Sequence, residues 1–329
     1  MSLRQRAGAI LYDVPRFAAS LVANRWIRMH NRNESVSADG RGVKCKWEFT
    51  SDLHVAKVFP VAGALLMRAA FAHWPIRLRD EPEKSASPEV AFVLGHRGLE
   101  RLPHLLTTLR SIAGQKDSSV EAIVVEQDRT PRIGEKLPPW VRYVFTQCET
   151  SFNRSAALNA GVAAAKAGIV VLHDNDLIVP SSYAFECAAR VAEGYSFLEL
   201  KRFTFYLSED DTKEIFDRGT VRTDRPSTIV QNLLGASIAA RRDAYRAAGQ
   251  FDEEFVGWGG EDNEFWERAE ATARTYRFGY LPFLHLHHAP QKEKGDPNAP
   301  AVRRYQDLRG IPPSERIERL NARRRQAGR

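Results

Sequence analysis

Gly168-Ile169-Val170-Val171-Leu172-His173-Asp174-Asn175-Asp176 decides the fold. Its first half is a short apolar run rich in β-branched residues, the pattern of a buried strand. Its second half is acidic, so the strand runs out of the core and delivers carboxylates at its carboxyl end. Upstream, Ser155 to Ala167 is alanine-rich and reads as a helix. Further upstream, Val90-Ala91-Phe92-Val93-Leu94 is another buried strand, closed by Gly95. Leu99, Leu102, Leu105, Leu106, Leu109 and Ile112 then recur at spacings of three and four, which predicts an amphipathic helix. Val120 to Val125 is a second strand, stopping at Glu126-Gln127-Asp128, and Val141 to Phe145 a third. This alternation implies an α/β fold, a mainly parallel twisted sheet with helices on both faces. Ligands in such sheets collect at the carboxyl ends of strands. Gly95, Glu126-Gln127-Asp128 and Asp174-Asn175-Asp176 all fall at such ends. Phe197 to Leu207 and Tyr276 to His288 are strand-like and are expected to lengthen the same sheet.

The chain is 43% hydrophobic and 27% charged, the balance of a globular protein rather than a disordered or membrane-embedded one. Residues 89–300 form the expected α/β domain. Residues 1–88 read as a mostly helical extension of unknown role, joined through a polar linker at Asp80 to Pro88, and residues 301–329 as a basic helical tail. Val55 to Trp74 is apolar enough to pack on a domain or lie on a membrane surface, and core packing is favoured because lysine and arginine interrupt the apolar face and the polar face is thin. Charge is uneven: Lys and Arg exceed Asp and Glu by 14 − 8 = 6 over residues 1–88 and by 11 − 5 = 6 over 289–329, while the middle is acidic. Basic ends suit anionic lipid headgroups or a partner. No nucleic-acid motif accompanies them, so nucleic acid is not an expected partner. Cys45, Cys148 and Cys187 have neither metal nor disulfide spacing, and no secretory signal is read at the start; a cytoplasmic location is expected, with peripheral contact at the inner face of the membrane.

Four segments carry candidate chemistry. Asp174-Asn175-Asp176 is a cation site or an acidic turn. His285-Leu286-His287-His288 holds three of the chain's nine histidines, and His285 and His288 can share a cation with Asp176. No helical His-Glu-x-x-His accompanies them, which argues against a hydrolytic zinc site. Phe152-Asn153-Arg154 opens a helix: either Arg154 reaches phosphate and Phe152 stacks on a base, or Asn153 caps, Phe152 staples and Arg154 is solvated. His96-Arg97 is likewise a nucleotide contact or a polar loop. Gly257-Trp258-Gly259-Gly260-Glu261-Asp262-Asn263-Glu264 is a glycine turn before a helix. It reads as a capped helix start or as a turn presenting carboxylates, kept ionised by the helix dipole, beside an aromatic wall.

Taken in order, Phe-Asn-Arg-x-x-x-Leu-Asn-x-Gly (152–161), Asp-x-Asp-Leu-Ile (174–178), Gly-Trp-Gly-Gly-Glu-Asp (257–262) and His-x-x-His (285–288) resemble the β-1,4-galactosyltransferase family. They are also similar to bacterial chondroitin-polymerase-type family 2 glycosyltransferases. The resemblance spans about residues 89–300 and implies a GT-A glycosyltransferase fold. It implies an enzyme that moves Gal or GalNAc from a UDP-sugar to the hydroxyl of a glycan or glycoconjugate acceptor, with Mn²⁺ or another divalent cation as cofactor and inversion at the anomeric carbon. Asp176, His285 and His288 would hold the metal. His96, Arg97, Phe152, Arg154 and Asp174 would contact the nucleotide. Asp262 would be the general base, with Glu261, Trp258, Gly260, Leu233 and Gly235 around the two sugars. Asn263-Glu264 departs from the galactosyltransferase pattern toward chondroitin-type and polypeptide N-acetylgalactosaminyltransferases. The last of these retain configuration, so the stereochemistry and the donor stay open. A non-catalytic UDP-sugar or glycan-binding protein on the same fold is the remaining alternative.

Overall fold

The computed structural model describes residues 1–28, 34–45, 50–83, 87–291 and 294–326. Residues 84–86 of the expected linker, 29–33 and 46–49 of the N-terminal extension, 292–293, and 327–329 of the tail lie outside them. The expected strands form: Val90–His96, Val120–Asp128, Arg142–Gln147 and Ile169–His173 lie parallel in a seven-stranded sheet. Ser237–Arg241 runs antiparallel beside Ile169–His173 and carries the sheet on to Phe197–Leu198 and Thr275–Tyr276. Alternation along the first strand sends Val90, Phe92 and Leu94 to one core and Ala91 and Val93 to the other. The helices Leu102–Ala113 and Tyr183–Ala192 fill the first core, and Arg154–Ala164 and Glu261–Thr272 the second. Both faces are thus covered, as a parallel sheet requires. Truncating the fully buried Phe92 to alanine would cost about 3–5 kcal/mol.

A second sheet corrects the expectation that the later strands simply extend the first. Phe197 to Leu207 breaks at Glu199-Leu200: Phe197–Leu198 stays in the first sheet, whereas Lys201–Tyr206 enters a five-stranded one. Tyr276 to His288 divides the same way, Leu281–His285 pairing in parallel with Lys201–Tyr206. The short strand Leu177–Ile178, immediately after Asp176, pairs antiparallel with Leu281–His285. That pairing brings the acidic end of one sheet against the histidine end of the other. The amphipathic helix begins at Leu102 rather than Leu99, which is exposed.

Residues 51–78 add to the second sheet and its core. Ser51–Asp52 pairs with Thr228–Gln231, and Leu66, Met67 and Phe71 of the helix Pro60–His73 pack with Phe203, Phe205 and Leu284. At the other end of the chain, the helices Pro300–Leu308 and Pro313–Gln326 lie on Glu261–Thr272. There Arg316 Nη2 donates to Glu267 at 2.7 Å, while Arg268 and Glu264 pair at 2.6 Å in full burial.

Candidate active site

A cleft of about 310 Å³ opens where the strands of the main sheet end. It is lined by His96, Arg97, Phe152, Arg154, Asp174, Asp176, Leu233, Trp258, Glu261, Asp262, His285 and His288, drawn from six separate stretches of chain. Of the residues to which the resemblance gives a metal, nucleotide, sugar or base role, all but Gly235 and Gly260 are on its wall.

Local physics explains each placement. Asn153 caps the helix Arg154–Ala164, its side chain accepting from the Ala156 N–H at 2.9 Å, so Arg154 starts that helix facing the cleft. Asn159 of the same motif is structural. It accepts from the Tyr245 hydroxyl at 2.6 Å and donates to the Phe251 carbonyl at 3.0 Å, tying down the segment that leads to Trp258. Asn175 turns away from its two acidic neighbours and donates to the Gly95 carbonyl at 3.2 Å and to His96 Nδ1 at 3.0 Å. His96 Nε2 donates in turn to the Gly98 carbonyl at 2.7 Å, so this buried ring has one nitrogen on Asn175 and the other on the loop after the first strand. Glu126 and Gln127 do the same for other loops. Glu126 accepts from the Arg132 N–H and the Tyr143 hydroxyl, and Gln127 from the Asn153 N–H at 2.5 Å.

Asp174 and Asp176 do not converge on one cation. Asp174 Oδ1 accepts from Arg154 Nε at 2.8 Å, and Arg154 Nη1 reaches Asp262 Oδ1 at 3.2 Å and Glu261 Oε1 at 3.9 Å. One guanidinium therefore faces three carboxylates. Burial, and then the Asp262 charge, push Glu261 up to about 7. The helix dipole expected to keep it ionised is outweighed by burial and by the Asp262 charge one residue away. Asp174 rises to about 6 through burial and the nearby Asp176 and Asp262, against the pull of Arg154.

Asp176 belongs to a different group. Its carboxylate lies 3.3 Å from His288 Nε2 and 3.7 Å from His285 Nε2, and it pairs closely with Arg101. Burial works against its charge, but His285, His288 and Arg101 more than offset this, and its pKa lies well below the carboxylate range. His285 Nδ1 donates to the Leu286 carbonyl at 2.7 Å and His288 Nδ1 to the Ala289 carbonyl at 2.6 Å. Carbonyls only accept, so both Nδ1 atoms hold a proton and each ring turns its Nε2 toward Asp176. Burial pushes His285 down, which favours its neutral form. Tyr206 stacks on the His285 ring at 4.2 Å and fixes its plane. Among the described residues this trio is the group whose ligand atoms lie close enough together, within 4.8 Å, to hold a metal ion. Two backbone-anchored imidazoles and a carboxylate are donors that suit manganese or zinc. His287 is not part of it; its N–H donates to Thr212 Oγ1 and its carbonyl accepts from His104.

A profile of glycosyl transferase family 2 matches residues 100–246, and one described as the N-terminal domain of galactosyltransferase matches residues 224–288. The chain is a GT-A glycosyltransferase. The two matches overlap over residues 224–246, which include the strands Thr228–Gln231 and Ser237–Arg241 and the cleft-lining loop between them, and the second match ends on His288. No curated protein matches the glycosyltransferase. The galactosyltransferase match contains the motifs at 257–262 and 285–288, the family 2 match those at 152–161 and 174–178, and the fold is the expected α/β one.

Two glycines set the shape of the catalytic end. Gly235 has φ of +80°, and a Cβ there would lie 1.7 Å from Asp262 Oδ2, so only glycine lets this loop lie against that carboxylate. Lys201 holds the loop, donating to the Gly235 carbonyl at 2.9 Å while paired with Glu199 at 2.9 Å. Gly260, at φ +91°, faces the other way; a Cβ would meet Tyr305 Cβ at 2.7 Å, so it seats the helix Pro300–Leu308 and does not touch the cleft. Sequence reading missed Arg101, Tyr206 and Lys294 on the cleft wall. Arg101 had a findable signal, since it sits in the loop after a parallel strand.

Proposed function

We propose that the glycosyltransferase moves Gal or GalNAc from a UDP-sugar to a glycan hydroxyl, with inversion, using a divalent cation at Asp176, His285 and His288. The observation that carries this is the meeting, in one cleft, of a His–His–carboxylate trio with an arginine-centred cluster of carboxylates. When bound, the cation supplies Lewis-acid neutralisation of the departing diphosphate. Arg154 Nη2 and Arg101 Nε are buried donors without a hydrogen-bond partner, aimed where an anionic nucleotide would satisfy them. Phe152 offers the base an aromatic face, and Leu233 and Leu234 border the sugar with room for an N-acetyl group. Asp262 takes the proton of the acceptor hydroxyl as that oxygen bonds to the anomeric carbon and the bond to the phosphate oxygen breaks. Glu261, protonated over much of the neutral range, donates to a sugar oxygen instead of competing for that proton. Trp258, at the partly exposed rim, stacks on the acceptor ring.

A panel of UDP-sugars read by thermal shift, with and without Mn²⁺, tests this reading. One donor should stabilise the protein only when the metal is present, and UDP should be released once an acceptor is added. Stabilisation without turnover for every acceptor offered, unchanged by Asp262→Asn, would favour a sugar-nucleotide-binding protein. Product anomer analysis by NMR decides inversion against retention.

A further inference from the structure

The start of the chain forms one nearly continuous helical stretch, Leu3–Gly8, Ala9–Asp13 and Val14–Val22. The middle piece is wound as a π-turn. A π-turn takes up an extra residue and so re-phases the helix beyond it. Ala9 and Phe17 consequently both face the core, while Leu3, Leu11 and Val22 are 88%, 67% and 91% exposed. The helix Pro60–His73 repeats the arrangement. Leu66 and Met67 are buried, whereas Val61 and Leu65, one turn apart, face solvent, with Phe59 half-exposed just before them. The short helix His54–Val58 packs on both, so the two exposed apolar edges lie on neighbouring elements. Exposed leucines are ordinary when scattered. Six large apolar residues along one terminal layer are a surface.

Its charge says what that surface meets. Between Leu3 and Arg28 there are five arginines and one aspartate. Arg4, Arg6, Arg25 and Arg28 are exposed at the two ends of the stretch. Interfaces between protein copies exclude charge from their centres, but arginines beside exposed leucines are what an interfacial helix carries: apolar side chains enter the lipid and guanidinium groups meet phosphate. Among the described residues no helix is long and apolar enough to cross a membrane, so the geometry is that of lying on one. We propose that this layer docks the enzyme on an anionic bilayer, with the Leu3–Val22 stretch, about 30 Å long, in the plane of the headgroups.

The test is co-sedimentation of the full chain with phosphatidylcholine vesicles, with and without phosphatidylserine. The protein should pellet with the mixed vesicles, remain free with phosphatidylcholine alone, and be released by salt. Leu11→Asp and Val22→Asp, both at exposed positions, should lower the bound fraction at least tenfold with unchanged melting temperature and unchanged UDP-sugar binding. Arg4→Gln with Arg6→Gln should weaken binding less and flatten its salt dependence. Absence of vesicle binding, or equal binding by wild type and the aspartate variants, overturns the proposal. So does a concentration-dependent dimer that these variants dissociate, since the surface would then belong to a second copy.

Discussion

The two ends of the cleft use the same side chains to opposite electrostatic effect. Asp174 and Asp176 leave the same strand two residues apart, yet the pKa of one is raised and that of the other lowered. At the Arg154 end, three carboxylates share one guanidinium, so negative charge is in surplus and protons are retained. At the Asp176 end, one carboxylate faces Arg101 and two imidazoles, so positive charge or a cation is accommodated. A short stretch of sequence can therefore hold a carboxylate of raised pKa and one of lowered pKa side by side, provided that the residue between them points elsewhere. Asn175 does so by bonding to the first strand.

That contrast can be broken at either end. Asp262→Asn should give the largest effect, lowering kcat by roughly 10²–10⁴ in a UDP-release assay while UDP-sugar binding persists. Asp176→Asn should weaken Mn²⁺ binding by more than about 100-fold, measured by calorimetry, and Asp174→Asn should leave it unchanged. Equal losses from both variants would mean that the two ends form one site. Gly235→Ala should displace the loop against Asp262 and lower turnover on the order of 100-fold, with about 1–3 kcal/mol of stability lost to backbone strain in denaturant melts.

The smallest effect sharpens the contrast through pH. Glu261 has a folded-state pKa of about 7 against an ordinary 4.5. The native state thus holds the proton longer, and its contribution to stability is complete below the ordinary value and lost as pH rises through the folded one. Melting temperature should fall across that interval, and Glu261→Gln should flatten the fall. An unchanged slope in the variant would place the retained proton elsewhere in the cluster.

How much was legible follows from the range of the interactions. The strand Ile169–His173 and its acidic end, the helix capped by Asn153 and the histidine run are written in consecutive residues, because burial and capping act within a few positions. The division into two sheets was not. Phe197 to Leu207 has one strand-like pattern, and only its pairing partners, Ser237–Arg241 on one side and Leu281–His285 on the other, break it. Arg101 was missed because its partner Asp176 is 75 residues away. Gly260 was assigned to the cleft because it adjoins Glu261, yet its backbone seats Tyr305 instead.

The sequence by itself determined which side chains lie at strand ends and helix starts, and hence which chemistry was available, since hydrophobic period and capping are local. Only the tertiary structure decided how those groups divide their charge. The pKa of a carboxylate depends on the two or three charges within a few ångströms and on how much water remains. Those neighbours come from five stretches of chain that only the packing of the two sheets brings together.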